Sequence, residues 1–62
     1  MTIEQIKAYV DNGYKVFNTN SNYEVIKDNK NQYLVICKLN NYTVGIKGMP
    51  IDKYYILIKR YN

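Results

Sequence analysis

Histidine and tryptophan are absent, cysteine and proline occur once each, and three glycines are spread through 62 residues. Each shortage closes off a chemistry. Without histidine, no side chain changes charge near neutral pH at its ordinary pKa, so a general base would need a strongly perturbed carboxylate, lysine or thiolate. One thiol makes no internal disulfide, and without imidazole it makes no nitrogen–sulfur zinc site. Gly13, Gly45 and Gly48 form no phosphate-cradling loop. The carboxylates Glu4, Asp11, Glu24, Asp28 and Asp52 show no spacing that enforces a catalytic pair. The expectation is a protein that is not an enzyme and holds no cofactor or metal. No apolar run approaches the roughly 20 residues of a membrane-spanning helix. Met1-Thr2-Ile3-Glu4-Gln5 also lacks the basic-then-apolar order of a signal peptide. With a lone cysteine, this predicts a cytoplasmic protein without membrane association.

What is present is a small, basic, tyrosine-rich chain. Residues 1–62 make a single domain that buries only about 60% of the surface its unfolded chain exposes. Such domains commonly add idealised packing or a partner subunit to a modest core. Nine asparagines and eight tyrosines accompany a net charge of +4. The skew is the one expected of an AT-rich genome, and the charge keeps an anionic partner in view.

The first element reads as a helix over residues 2–12. Thr2 and Gln5 match the capping box S/T-x-x-E/Q. Ile3, Ile6 and Val10 form one stripe with Tyr9 at its margin, and Gly13 stands where a left-handed residue ends a helix. From Tyr14 the period changes from 3.6 to 2. Strands are expected at Tyr14–Thr19, Tyr23–Asp28, Tyr33–Leu39, Tyr42–Lys47 and Tyr54–Tyr61. A helix capped by Asp52 is the alternative for the last segment. The fold class is α+β, one helix laid on a 4–5-stranded antiparallel meander. A partly closed small β-barrel, made by pairing the last strand with the first, is the alternative.

Turn chemistry sets which residues share a face. A two-residue loop Asn20-Ser21 would pair Val16 with Val25. A three-residue loop Asn29-Lys30-Asn31, with Asn31 left-handed, puts Tyr23 and Val25 on the face of Val35 and Cys37. A loop of two or four residues would put Glu24 and Ile26 there instead, and the cost of burying Glu24 unpaired favours the first. A type I′ turn at Asn40-Asn41 would pair Leu39 with Tyr42, Cys37 with Val44 and Val35 with Ile46. One face then reads Tyr33, Val35, Cys37, Leu39, Tyr42, Val44, Ile46, with Cys37 an inert buried thiol. The other reads Leu34, Ile36, Lys38, Thr43, Gly45, Lys47.

Leu34 and Ile36 on that second face are either covered by Tyr54–Tyr61 or a bent sheet, or form an apolar contact surface in a chain too short to cover both sides of a sheet. The edge strand Tyr54–Tyr61 could extend its sheet by pairing with a partner strand. Candidate partner-binding residues are Leu34, Ile36, Lys38, Lys47, Tyr55, Lys59 and Arg60. Their expected partner is a protein, including a second copy in a homodimer. The alternative is nucleic acid, held by the sheet lysines beside exposed tyrosine rings.

Ile3-Glu4-Gln5-Ile6-Lys7-Ala8-Tyr9-Val10-Asp11-Asn12-Gly13 leads into Lys15-Val16-Phe17. Asn22-Tyr23-Glu24-Val25-Ile26-Lys27-Asp28 and Gln32-Tyr33-Leu34-Val35-Ile36-Cys37 follow. This order resembles small, uncharacterised bacteriophage-encoded proteins with a short helix, a glycine turn and N-x-Y-x-V-I-K-D before a Q-Y-L-V/I-x-C strand. The resemblance covers residues 3–46 and leaves the Pro50–Asn62 tail unmatched. It implies an accessory or inhibitor protein acting on a host defence or metabolic protein in the host cytoplasm. It transfers no catalytic or binding residue.

Overall fold

A computed structural model of the protein describes residues 1–57. Helix α1 spans Ile3–Asp11 and is capped as its sequence demands. The Gln5 N–H donates to Thr2 Oγ1 at 3.1 Å and the Thr2 N–H to Gln5 Oε1 at 2.8 Å, so two otherwise orphaned donors are satisfied. At the other end Gly13 takes φ +86°. Its N–H donates to the Val10 carbonyl and that of Tyr14 to the Tyr9 carbonyl, each at 3.0 Å. These are the two bonds of a Schellman motif. The Tyr9 and Tyr14 rings meet edge to face at 5.2 Å, the apolar contact that accompanies such a cap.

Five antiparallel strands follow: β1 (Lys15–Asn18), β2 (Asn20–Lys27), β3 (Tyr33–Cys37), β4 (Tyr42–Gly45) and β5 (Tyr54–Leu57). Their spatial order is β4-β3-β2-β1-β5. The first four form a meander, and β5 returns to pair with β1, Val16 facing Ile56 and Phe17 facing Tyr55. Last and first strands thus meet, but β4 and β5 remain separate edges and the sheet is open rather than a barrel. Through Leu57, the last segment is a strand and not a helix.

The loops decide the registers. Between β2 and β3, Asn31 sits at φ +63° and the Asp28 carboxylate accepts from the Lys30 and Gln32 N–H groups at 2.8 Å each. This is the expected three-residue loop, and it pairs Tyr23 with Cys37, Val25 with Val35 and Lys27 with Tyr33.

The β3–β4 turn differs from expectation. Only Asn41 is left-handed, at φ +61°. The Asn40 side chain instead accepts from the Tyr42 N–H at 3.0 Å, while the Asn41 N–H reaches the Cys37 carbonyl at 2.7 Å. Lys38-Leu39-Asn40-Asn41 form the loop, and Cys37 faces Tyr42 and Val35 faces Val44. An asparagine that caps its own turn has no need of positive φ. The slip is by two residues, so every strand side chain keeps its expected face. Leu39 and Tyr42, expected in the core, move to the hairpin tip and are 77% and 71% exposed.

The β1–β2 turn also departs. Phe17 faces Glu24, the register in which Val16 faces Val25, but Asn18 next faces Asn20 and Thr19 alone turns the chain at φ +68°. The cause is distant. The Asn18 amide donates to the Pro50 carbonyl at 2.9 Å and the Thr19 N–H to the Lys53 carbonyl at 3.1 Å. Both anchor the connection from β4 to β5, which contains 3₁₀ turns at Ile46–Gly48 and Ile51–Lys53. Within it, Ile46 is buried and its carbonyl accepts from the Tyr54 hydroxyl at 2.6 Å.

The core lies between one sheet face, the helix and this connection. Ile6, Val16, Val25, Val35, Ile46 and Tyr54 make one buried cluster, flanked by Ile3, Tyr9, Val10, Val44, Met49 and Ile56. Each fully buried aliphatic side chain contributes about 1.5–3 kcal/mol. Fully buried Asn18 is satisfied by Pro50 and by the Thr19 hydroxyl. Among the described residues, no buried side-chain polar atom lacks a partner.

Candidate functional site

The second sheet face has no layer over it among the described residues. Its side chains follow from alternation and register. One row across the strands runs Tyr55, Phe17, Glu24, Ile36, Thr43. Beside it, Leu57 faces Lys15, and Ile26 faces Leu34, which faces Gly45. Ile26, Leu34 and Ile36 are half-buried, and Tyr55 and Leu57 are exposed. Phe17 alone is sealed, at 3% exposure.

Neighbouring side chains explain that seal. The Tyr55 ring lies against Phe17, centroids 5.6 Å apart, and Lys38 Nζ sits 5.2 Å from the Phe17 ring centroid. Lys38 also pairs with Glu24 at 2.9 Å, and Lys15 reaches the other Glu24 oxygen at 3.5 Å. The Glu24 side chain is only 17% exposed, and both ammonium groups stand further into water. A carboxylate among apolar side chains is costly unless paired. Here two cations satisfy it and extend their methylene stems over the sheet. The Lys38 N–H, held by the Asn22 carbonyl at 2.8 Å, fixes where this strap begins. The result is an apolar face crossed by one charged line with a local excess of one positive charge.

This geometry unites Leu34, Ile36, Lys38 and Tyr55 of the expected set. It excludes Lys47. The sheet register ends at Gly45, and the chain enters a 3₁₀ turn that carries Ile46 into the core. Lys47 therefore borders a shallow groove on the helix side with Lys7, Tyr33, Gly45 and Ile46. Lys59 and Arg60 lie outside the described residues. Sequence reasoning missed the sealing of Phe17 and the Lys15–Glu24–Lys38 line. The Val16–Val25 pairing already set Phe17 across from Glu24, but its Tyr55 neighbour was not placed because β5 had no assigned register.

The helix side carries a second charged cluster. The Tyr33 hydroxyl donates to both Asp11 oxygens, at 2.7 and 2.9 Å, and Lys27 pairs with Asp11 at 3.2 Å. Lys7 and Lys27 lie 5.5 and 5.1 Å from the Tyr33 ring centroid. The Tyr33 hydrogen bond, followed by Lys27, holds the Asp11 carboxyl below the usual carboxylate range. This cluster ties the end of α1 to β2 and β3.

Among the described residues there is no group of three potential metal-ligating side chains, and no helix is long and apolar enough to cross a membrane. Cys37 is a free, half-buried thiol across from Tyr23. Comparison with known proteins found no matching family model, no matching curated protein and no matching solved structure.

Proposed function

We propose that this chain is a small non-enzymatic protein-binding module whose open sheet face takes the partner. The observation that carries the reading is the face itself: Ile26, Leu34, Ile36, Tyr55 and Leu57 lie around a sealed Phe17 with no second layer among the described residues. A half-solvated apolar sheet face is stabilised when a partner covers it. The charge line adds selectivity. Lys15 and Lys38 outnumber Glu24, so the complementary surface is apolar with a carboxylate placed to meet a lysine. The bacteriophage resemblance supplies a setting, an accessory or inhibitor protein acting on a host protein in the cytoplasm.

Nucleic acid is the competing partner class. It calls for free lysines beside exposed rings, whereas Lys38 is engaged by Glu24 and Lys47 borders a different surface. The two classes separate by experiment. The chain is immobilised, exposed to bacterial lysate with and without nuclease, and compared with Leu34→Glu and Ile36→Lys. Ile36 is half-buried on the open face and faces Glu24, so a lysine there joins Lys15 and Lys38 around that carboxylate with its ammonium in reach of water, and the fold is expected to persist. Expected is a protein retained by the natural sequence, indifferent to nuclease, and lost by both variants while their amide spectra remain native. Retention by both folded variants would remove the open face as the site. A captured nucleic acid whose affinity falls steeply with salt would favour the other class.

A further inference from the structure

The two sheet edges differ. β5 ends at Leu57, the last described residue. β4 is bounded at both ends: Tyr42-Thr43-Val44-Gly45, paired with β3 on one side and with no described strand on the other. Along the outer side of such a strand, backbone donors and acceptors stand unpaired, and proteins guard them with lysine, proline, a bulge or a covering element. β4 carries no charge and no proline, and its ladder with β3 is regular. Among the described residues its one guard is its length. Tyr42 is 71% exposed, Thr43 is exposed, and Gly45 leaves open space where a side chain would stand.

We infer that β4 is a self-pairing edge: a second copy of this chain docks its own β4 antiparallel to the first, joining two five-stranded sheets into one. The strand's sequence supports a copy of itself as the occupant. In an antiparallel ladder, opposed residues either both direct their N–H and C=O toward each other or both away. On two identical strands this requires partners of like parity. Centred on Thr43, the ladder sets Thr43 against Thr43 and Tyr42 against Val44 on either side. Threonine–threonine and aromatic–β-branched pairs are among the favourable cross-strand combinations, and no charges oppose. Each exposed Tyr42 ring then covers the partner's half-exposed valine, on the helix side of the sheet.

Like parity has a second consequence. Residues of like parity in β4 share a face, so the two open faces lie on the same side of the joined sheet and double the surface offered to a third protein. The inference rests on the edge and stands whether or not the open face binds a partner. Four residues at about 3.3 Å each span only about 13 Å. That contact falls short of the roughly 800 Å² per partner of a standard stable interface. The association is therefore weak and depends on concentration.

Sedimentation equilibrium of the natural chain over rising concentration, with amide spectra recorded on the same samples, tests it. Expected is a mass rising from one chain toward two, with shifted and exchange-protected amides confined to residues 42–45. Thr43→Lys sets two ammonium groups face to face at the two-fold axis and weakens association about fivefold, while Thr43→Val preserves it. Ile36→Lys, on the open face, leaves it unchanged. The inference is overturned by a single-chain mass at every concentration. It is equally overturned if Ile36→Lys dissociates the dimer while Thr43→Lys spares it. Amides in β4 that shift only when a captured protein is added would assign the edge to that protein's strand, again against self-pairing.

Discussion

On the helix side of the sheet, Val16, Val25 and Val35 are sealed beneath Ile6 and Ile46; on the other side, Ile26, Leu34 and Ile36 have no layer over them among the described residues. Both sets are aliphatic, and both come from the same strands by simple alternation. Hydrophobic pattern alone therefore does not separate a core from a contact surface. The separation comes from whether the rest of the chain can reach across. One nine-residue helix and one connection cover one face. Over the second face, the described residues place a line of charge above a phenylalanine.

Adjacent residues test this contrast most severely. Val35 is buried and Ile36, one step along β3, points to the open side. The same substitution should separate them. Val35→Lys puts an unpaired ammonium in the core, at a cost of several kcal/mol. That is comparable with the whole stability of a domain this small, so the variant is expected to be unfolded by circular dichroism. Ile36→Lys loses part of a half-buried side chain and gains Glu24 as a neighbour, so its denaturation midpoint should imply a loss of no more than about 1 kcal/mol. Equal costs at the two positions would mean that the open face is as closed as the core.

A subtler difference lies in how each side satisfies polar groups. The open side uses charges in contact with water, whereas the core itself uses neutral buried bonds, above all Tyr54 to the Ile46 carbonyl. Tyr54→Phe keeps the ring and leaves that carbonyl without its partner, which should cost about 1–3 kcal/mol in chemical denaturation. The same residue sets an alkaline limit. Burial, only partly offset by a hydrogen-bonding contribution from Asn18, raises the Tyr54 phenol above its ordinary value. Between the ordinary and the raised value, the folded chain keeps a proton that the unfolded chain releases, so stability falls as pH rises through this range. In Tyr54→Phe that component of the alkaline decline should vanish. An identical decline in the variant would assign it to other groups.

How much was legible in the sequence follows the range of the interactions. The helix and both its caps are local, and Thr2, Gln5 and Gly13 specified them. The β2–β3 loop is equally local, because Asp28 and Asn31 close it without outside help. Asn40-Asn41 was ambiguous because asparagine can serve a turn through its backbone or its side chain, and here Asn40 does the latter. The resulting slip of two residues preserved the faces but exposed Leu39 and Tyr42. Asn18 was unreadable, since its partner is the Pro50 carbonyl, 32 residues away. The open face was half legible for the same reason. Leu34, Ile36 and Lys38 sit on a register that nearby loops determine, whereas Phe17 and Tyr55 meet through a pairing of strands from the two ends of the described sheet region, 38 positions apart.

The smallest expected effect concerns the exposed charges of the helix side, set against those of the open face. Glu24 lies low among apolar groups with two lysines, while Asp11 stands in solvent and owes its low pKa first to the Tyr33 hydroxyl. Because the folded carboxyl is more acidic than the unfolded one, its contribution is complete above the ordinary carboxylate pKa. It is lost as pH falls through the lowered value. Tyr33→Phe removes the leading cause and keeps the ring beneath Lys7 and Lys27. The Asp11 carboxyl, followed by carbon-detected magnetic resonance, should then titrate closer to its ordinary value, with the remaining depression reduced by salt because the Lys27–Asp11 pair is exposed to solvent. An Asp11 titration unchanged by Tyr33→Phe would show that the lysines alone set it. The clamp would then be an ion pair, like the one on the open face, rather than a hydroxyl-anchored junction between helix and sheet.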